Sequence, residues 1–195
     1  MTGGASVAAI VLAGGRSTRF GRDKLAEPVD GRPLLEHAIG AVRQVTADVV
    51  VVVAPVPDAW IPPGVSIVRD ERAFEGPLAG VVAGLGATDA EIVLIVAGDM
   101  PTVVPAVLDR LIAALTTAGA DAAVLGVGDD RPPIPMALRR SPATTAAGAL
   151  FASGERRLRA LSEALHAAAV PEREWRRDDP AGASLLDVDT PADLP

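Results

Sequence analysis

The residues LAGGRSTRFGRDK, at positions 12–24, place two glycines, several arginines and a lysine directly after an apolar run. Gly14 and Gly15 have no Cβ, so a nucleotide can approach their main-chain N–H groups closely. Arg16, Arg19 and Lys24 add positive charge, arginine as a bidentate fork and lysine as a point charge. These residue types predict a site for a nucleoside triphosphate. The alternative is a tight strand-to-helix turn whose basic side chains are solvated.

The spacing of this loop fits neither common phosphate-binding template. A P-loop needs Gly-Lys followed by Ser or Thr, whereas Lys24 comes three residues after Gly21 and precedes Leu25. The three spaced glycines of the dinucleotide fingerprint are absent as well. Ser17 has no His or Asp constellation beside it, so we expect it to hydrogen-bond to phosphate or loop atoms rather than to act as a nucleophile.

A carboxylate at another predicted strand end suits a magnesium ion. Asp99 follows Gly98 at the end of the most apolar run, Ile92–Ala97, so its side chain should project from a buried strand into a crevice. Mg²⁺ commonly joins one or two carboxylates to substrate phosphates. The plainer alternative is that Asp99 caps a helix ahead of Pro101.

The segment DVDTP, near the end of the sequence, offers a second carboxylate from Asp187 or Asp189. Two aspartates from different strand ends would make a metal site, whereas either alone need not. Here too capping is the alternative, with Asp189 preceding a short turn that starts at Thr190 or Pro191.

Short β-branched runs alternate with helical patterns, which predicts one α/β domain over 1–195 with a mainly parallel sheet. The predicted strands are Val7–Leu12, Val49–Ala54, Val65–Val68, Ile92–Ala97, Ala122–Gly126 and Ser184–Val188. The predicted helices follow Pro33 and Pro77 and cover Val104–Leu115 and Glu155–Ala168, while 55–63 and 131–135 read as loops. In such a sheet, ligands bind outside the carboxyl ends of the strands, where these polar clusters would meet.

Composition excludes several functions. The net charge of −7 argues against a surface for nucleic acid, and the absence of cysteine excludes disulfides and thiolate chemistry. The apolar runs are too short for a membrane helix, and the N-terminal run lacks the basic start of a signal peptide, so we expect a soluble, cytoplasmic protein. His37 and His166 fall in predicted helices away from the strand ends, so neither is a candidate base.

The first loop resembles the signature LAGGxSxRMGxDK of the molybdenum cofactor guanylyltransferases, the MobA-like nucleotidyltransferases. The likeness continues in order through four more segments, GRPLLEHAI, EGPLAGVVAGL, VAGDMP and SGERRLRAL. The resemblance implies a single Rossmann-like, three-layer domain that transfers GMP from GTP to molybdopterin-bound molybdenum, with Mg²⁺ present and pyrophosphate released. Small-molecule substrates and transient contact with cofactor-transfer proteins follow from it, with no role for nucleic acid or membrane.

The resemblance also implies roles for individual residues. It assigns nucleotide contacts to Leu12, Ala13 and Gly14, phosphates to Lys24, the nucleoside side to Asp70 and Mg²⁺ to Asp99. Gly15 favours GTP, because related cytidylyltransferases have LAAG where this chain has LAGG. Attack of a phosphate on a phosphate needs positive charge, which Mg²⁺, Lys24 and Arg19 would supply, and Asp189 would be a second metal ligand.

Three departures from the family pattern bear on the substrates more than on the reaction. Val53, Ala54 and Pro55 stand where the family commonly has an Asn, and Phe20 replaces Met. DVDTP replaces an NVNTP-like segment and is closer to the cytidylyltransferase branch. The alternatives are therefore transfer of CMP, transfer to another phosphorylated acceptor, or a nucleotide-binding homologue without catalysis.

Overall fold

The computed structural model describes residues 5–15, 23–55, 63–70 and 75–194, and a seven-stranded sheet lies at its centre. Its strand order is β5-β4-β1-β6-β8-β7-β9. The strands are β1 (Val7–Ala13), β4 (Asp48–Val53), β5 (Ser66–Arg69), β6 (Ile92–Ala97), β7 (Ala122–Leu125), β8 (Met136–Arg139) and β9 (Ala168–Val170). A separate hairpin pairs β2 (Pro28–Val29) with β3 (Arg32–Pro33).

One strand of the large sheet runs against the others. Strand β1 pairs in parallel with β4 and β6, β4 pairs in parallel with β5, and β7 pairs in parallel with β9. Strand β8 is antiparallel to both of its neighbours, β6 and β7. The carboxyl ends of β1, β4, β5 and β6 therefore meet at one edge, and β8 starts at that same edge.

Helices cover both faces of the sheet and give three layers. They are α1 (Leu34–Val42), α2 (Pro77–Leu85), α3 (Pro105–Ala118), α4 (Arg140–Ala152), α5 (Leu158–Ala164) and α6 (Glu172–Trp175). Helices α1, α3 and α6 share one buried core with the sheet, and α2, α4 and α5 share the other. Within the described ranges, no helix combines the length and apolar character needed to cross a bilayer.

Helix α2 packs on the sheet through glycines. A Cβ added at Gly84 would lie 2.7 Å from Ile10 Cγ2, and one at Gly80 would lie 3.1 Å from Leu12 Cδ2. The side chains of β1 occupy the space that larger helix residues would need. The Gly- and Ala-rich sequence of this segment is thus explained by a close approach between α2 and β1.

The mainly parallel α/β fold is confirmed, but the predicted strand Ser184–Val188 is wrong. Residues Ala183–Leu185 form a 3₁₀ turn instead. The cause is Asp179, whose carboxylate accepts the N–H groups of Ala183 (2.9 Å) and Ser184 (2.7 Å). These donors are therefore satisfied by a side chain, which favours a turn over a strand ladder.

The region after residue 130 contains further differences. The predicted helix Glu155–Ala168 shortens to α5, because Glu155 Oε1 accepts the main-chain N–H groups of Arg156 (2.8 Å) and Arg157 (3.0 Å) just before it. His166 lies after α5 with φ 49°, outside the helix predicted for it, and Ala168 enters β9. Strand β8 and helix α4 were not predicted, since four apolar residues and a helix rich in Ala and Thr give weak patterns.

Candidate active site

A cavity of about 320 Å³ opens at the edge where the parallel strands end. Its walls combine main chain, apolar side chains and two carboxylates. The lining residues are Leu12, Gly14, Gly15, Val52, Asp70, Gly76, Pro77, Gly80, Ala97, Asp99 and Ile134. Most of them come from the loops after β1, β5 and β6 and from the start of α2, as expected for a ligand site in an open α/β sheet.

The two glycines after β1 contribute in different ways. A Cβ at Gly14 would meet Ala54 N at 3.6 Å, so the main chain here runs beside the end of β4. Among the described residues, a Cβ at Gly15 would meet no atom within 4 Å, so no described side chain fills the space next to the main chain here. The cavity wall at these positions is therefore accessible backbone, which suits contact with a nucleotide.

Lys24 connects three segments that lie far apart in sequence. Its Nζ donates to Asp99 Oδ2 (2.6 Å) and to the carbonyl oxygen of Val188 (2.8 Å), and it lies 3.7 Å from Asp189 Oδ1. The side chains of Lys24 and Asp99 are 12% and 21% exposed, so the ion pair is largely shielded from water. We call Lys24, Asp99, Val188 and Asp189 the charged cluster. Asp187 is exposed, and among the described residues no contact joins it to this cluster.

Main-chain contacts hold Asp99 in place. Its carbonyl oxygen accepts the N–H of Val188 (2.9 Å), and Gly98 N–H donates to Leu12 O (2.9 Å), which continues the pairing of β1 with β6. A Cβ at Gly98 would lie 2.9 Å from Leu35 Cδ1, so the position has no room for a side chain. The capping alternative for Asp99 is wrong, because the next helix starts at Pro105 with Val104 as its N-cap.

The turn after Asp189 fixes the final part of the cluster. Thr190, rather than Asp189, is the N-cap of the 3₁₀ turn Pro191–Asp193, and a capping box links Thr190 to Asp193. Asp193 Oδ2 accepts from Thr190 N (2.7 Å) and Thr190 Oγ1 (2.8 Å). These Thr190 hydrogen bonds hold the pKa of Asp193 below its ordinary value, with the side-chain bond as the main cause. The carboxylate of Asp189 is thus not used as the cap and faces Lys24.

Asp179 is a buried support that sequence reasoning missed, because DDP in a polar segment gives no signal for it. Its carboxylate accepts the N–H of Ser184, and Ser184 Oγ accepts the N–H of Val104 (3.0 Å). Burial raises the pKa of Asp179, but hydrogen bonds from Ser184, Ala183 and Gly182 outweigh it and lower the pKa overall. Asp179 thereby ties the segment before Val188 to the loop that follows Asp99.

Asp70 lines the same cavity and comes directly after β5. It is 8% exposed, and its N–H donates to Val53 O (2.9 Å). Val53 and Ala54, where the resemblance implies an Asn, are buried aliphatic residues. These two positions therefore contribute to sheet and core packing.

The remaining predicted residues fall into two groups. Arg16, Ser17, Arg19 and Phe20 lie outside the described residues. Ala13 does not line the cavity, because alternation along β1 turns its side chain into the core shared with α1 and α3.

Neither histidine contributes to the cavity. His37 Nε2 donates to Val29 O (2.8 Å), and its Nδ1 accepts from Arg32 (3.2 Å), so this residue links α1 to the β2–β3 hairpin. Ile134, which does line the cavity, was missed by sequence reasoning because it sits in a Pro-rich loop before an unpredicted strand.

The sequence matches the family model described as the MobA-like NTP transferase domain over residues 9–173. A probable molybdenum cofactor guanylyltransferase of Chloroflexus aggregans is 36% identical over 192 residues, covering 95% of this chain and 90% of the relative. A molybdenum cofactor guanylyltransferase of Shewanella putrefaciens is 31% identical over 135 residues, covering 68% of this chain and 69% of the relative.

Solved structures agree with this relationship. The molybdopterin-guanine dinucleotide biosynthesis protein A of Archaeoglobus fulgidus superposes with a TM-score of 0.78 at 25% identity, covering 95% of this chain and 94% of that one. The 2-C-methyl-D-erythritol 4-phosphate cytidylyltransferase of Thermus thermophilus shares the fold, with a TM-score of 0.73 at 22% identity and coverage of 97% and 95%. The chain therefore belongs to the MobA-like NTP transferase family and is a nucleotidyltransferase with a Rossmann-like fold.

Proposed function

We propose that this enzyme transfers GMP from GTP to the terminal phosphate of molybdopterin-bound molybdenum cofactor and releases pyrophosphate. Relatives named as molybdenum cofactor guanylyltransferases support the choice of substrates. The single observation that carries the proposal is the position of Lys24, whose ammonium contacts Asp99 while Asp99 lines the cavity bounded by Gly14 and Gly15. An ammonium suited to phosphate and a carboxylate suited to a metal ion thus meet beside accessible backbone.

In the proposed reaction, an oxygen of the acceptor phosphate forms a bond to the α-phosphorus of GTP. The bond from that phosphorus to the α–β bridging oxygen breaks, and its electron pair leaves with pyrophosphate. The acceptor phosphate is already anionic, so no protein base has to remove a proton from it. Lys24 lowers the repulsion between the two phosphates and stabilises the charge that gathers on the leaving group. Arg19 is proposed to supply further positive charge for the same purpose.

The residues present fit Mg²⁺. Among the described residues no set of three or more acidic or histidine side chains converges on a point, but Asp99 and Asp189 both face the Lys24 ammonium. Mg²⁺ typically binds one or two carboxylates together with substrate phosphates and waters, and does not require an all-protein cage. Asp99 and Asp189 are the proposed ligands. When bound, the ion would supply Lewis-acid stabilisation of phosphate charge.

We propose that the part of the cavity around Gly14, Gly15 and Asp70 binds the nucleoside. Gly14, Gly15 and Leu12 present backbone and an apolar wall, and Asp70 provides the carboxylate on the nucleoside side. We assign GTP rather than CTP to this cavity because of the Gly14-Gly15 pair. The location in the cytoplasm and the absence of nucleic-acid partners remain predictions.

Thermal stability in the presence of nucleotides tests the choice of base. A ligand that binds only the folded state stabilises by RT ln(1 + [L]/Kd), so at equal concentration the preferred nucleotide should raise Tm the most. We expect GTP with Mg²⁺ to raise Tm more than CTP, UTP or ATP. A larger shift with CTP would contradict the guanylyl assignment and favour the cytidylyltransferase alternative.

The acceptor requires a separate test. Pyrophosphate release is measured with GTP and Mg²⁺, using molybdopterin or its molybdenum-bound form as the acceptor and omitting the acceptor in the control. Release that depends on the acceptor is the expected result. If the protein binds GTP but releases no pyrophosphate with either acceptor, it is a nucleotide-binding homologue without catalysis or an enzyme that acts on a different phosphorylated acceptor.

A further inference from the structure

Lys24 is the one lysine in the sequence, and its ammonium already occupies a cation position. Its Nζ lies 2.6 Å from Asp99 Oδ2, 2.8 Å from the carbonyl oxygen of Val188 and 3.7 Å from Asp189 Oδ1. All three are oxygen atoms, two of them from carboxylates, which is the donor chemistry that Mg²⁺ prefers. The lysine therefore sits among the groups that the proposed function assigns to the metal.

A lysine ammonium and a divalent ion compete for this position. Mg²⁺ binds oxygen at about 2.0–2.1 Å through the oxygen lone pairs, and the Lys24 ammonium already uses Asp99 Oδ2 as a hydrogen-bond acceptor. The two cations also repel each other, and Lys24 and Asp99 are only 12% and 21% exposed, so water screens the repulsion poorly. Each cation therefore weakens the binding of the other at this position.

We propose that Lys24 holds the cation site of the nucleotide-free enzyme, so that the divalent ion enters only together with the triphosphate. This inference rests on the proposed function, because it takes a triphosphate as the ligand that attracts the lysine. The triphosphate gives the ammonium a new anionic partner, and the flexible four-carbon stem of lysine allows the exchange. Asp99 is then open to the metal.

The surrounding main chain is held in place by its own hydrogen bonds, so the exchange requires only the Lys24 side chain to move. The hydrogen bond from Val188 N–H to Asp99 O keeps the two oxygen-bearing segments together whether or not Lys24 contacts them. Gly98 is packed against Leu35 and paired with Leu12, which fixes the start of the Asp99 loop. The cation site thus keeps its oxygen atoms while its occupant changes.

The affinity of the nucleotide-free protein for Mn²⁺ measures directly how far Lys24 prevents a divalent ion from binding. Free Mn²⁺ is followed by electron paramagnetic resonance in the parent and in Lys24→Met, which keeps the length of the side chain but removes its charge. We expect the variant to bind Mn²⁺ roughly 5–150-fold more tightly, the usual range for coupled sites. The double variant Lys24→Met with Asp99→Asn should lose this gain, which would place the ion at Asp99. Equal affinity in the parent and in Lys24→Met would overturn the proposal.

The single lysine also provides a direct probe of the exchange. Protein labelled with [13C]lysine gives one side-chain Cε–Hε signal in an NMR spectrum, and that signal reports on Lys24 alone. We expect Mg²⁺ without nucleotide to leave the signal in place, and GTP to shift it even in EDTA. A shift of the same size with Mg²⁺ alone would overturn the proposed coupling and leave the guanylyl assignment standing.

The other outcomes separate the two proposals. A signal that CTP shifts and GTP does not would support the lysine exchange while contradicting the guanylyl assignment. A signal that no nucleoside triphosphate shifts would overturn both. The Asp99→Asn variant, which keeps Lys24 but removes its carboxylate partner, should show an altered signal before any ligand is added.

Discussion

The cavity lined by Gly14 and Gly15 and the charged cluster adjoin each other but are built differently. The cavity takes most of its wall from glycines and apolar residues on β1, β4, β6 and α2, which pack against one another in the core. The charged cluster joins Lys24 to residues 75 and 164 positions away. We expect the first region to recognise its ligand mainly by shape and backbone, and the second to act through charge. Changes in the charged cluster should therefore reduce turnover, whereas changes around the cavity should reduce nucleotide affinity and stability.

The largest effect is expected from Asp99→Asn. A neutral amide is a poor Mg²⁺ ligand, so we expect kcat to fall by on the order of 10³, at the upper end for loss of one electrostatic group. Folding should be largely retained, because the main-chain carbonyl of Asp99 still accepts from Val188. Pyrophosphate release and a urea unfolding curve measure the two quantities.

Asp89→Asn is the matched control, since Asp89 is a fully exposed aspartate just before β6, at the opposite edge of the sheet. This substitution should leave both kcat and the free energy of unfolding unchanged. Near-normal turnover in Asp99→Asn would show that the carboxylate is not required and would remove Asp99 from the proposed metal site.

Lys24→Ala should produce the next largest loss. If Lys24 acts mainly where charge develops on pyrophosphate, kcat should fall by on the order of 10²–10³, with a smaller change in GTP affinity. Lys24→Arg retains a positive charge and should recover part of the rate. Single-turnover kinetics and a GTP titration separate the effects. Loss of affinity with unchanged kcat would mean that the lysine only holds the nucleotide.

Paired glycine substitutions probe the cavity side, with the smallest expected effect. Gly84→Ala puts a Cβ 2.7 Å from Ile10 and should lower the free energy of unfolding by about 1–3 kcal/mol, the usual cost of overpacking. Gly40→Ala, in α1, meets no atom within 4 Å and should raise it by up to about 1 kcal/mol through helix propensity. Urea unfolding measures both.

In Gly84→Ala the Kd for GTP should also rise, while kcat at saturating GTP stays near that of the parent. If kcat at saturation fell as far as in Lys24→Ala, the division between a cavity that binds and a cluster that reacts would be wrong.

Local patterns were sufficient for much of the fold. Strand β6 was predicted with its observed bounds, because a continuous β-branched run buried on both faces has little alternative. The helix after Pro77 was also correct, since proline at a first turn and small residues facing β1 agree with each other. Short elements failed where a distant side chain decided the outcome, as when Asp179 turned the predicted final strand into a 3₁₀ turn.

The site follows the same rule. Lys24 and Asp99 were identified by their loops, and the structure brings them together. That Asp189 rather than Asp187 faces Lys24 depends on the Thr190–Asp193 capping box. The hydrogen bond from Lys24 to the Val188 carbonyl could not be predicted, because every residue has a main-chain carbonyl. Which segments meet depends on long-range packing, and residue types alone do not specify it.

The reversed direction of β8 has a consequence for how this architecture can diversify. In the parallel strands β1, β5 and β6, the residues that reach the cavity lie at the end of the strand or directly after it. Strand β8 begins at that edge, so the segment leading into it supplies Ile134 to the cavity wall. Insertions or substitutions within residues 126–134 can therefore reshape that wall while the strand-to-helix loops keep their lengths. Exchange of this one segment between relatives is a route to altered substrate choice that leaves the charged cluster untouched.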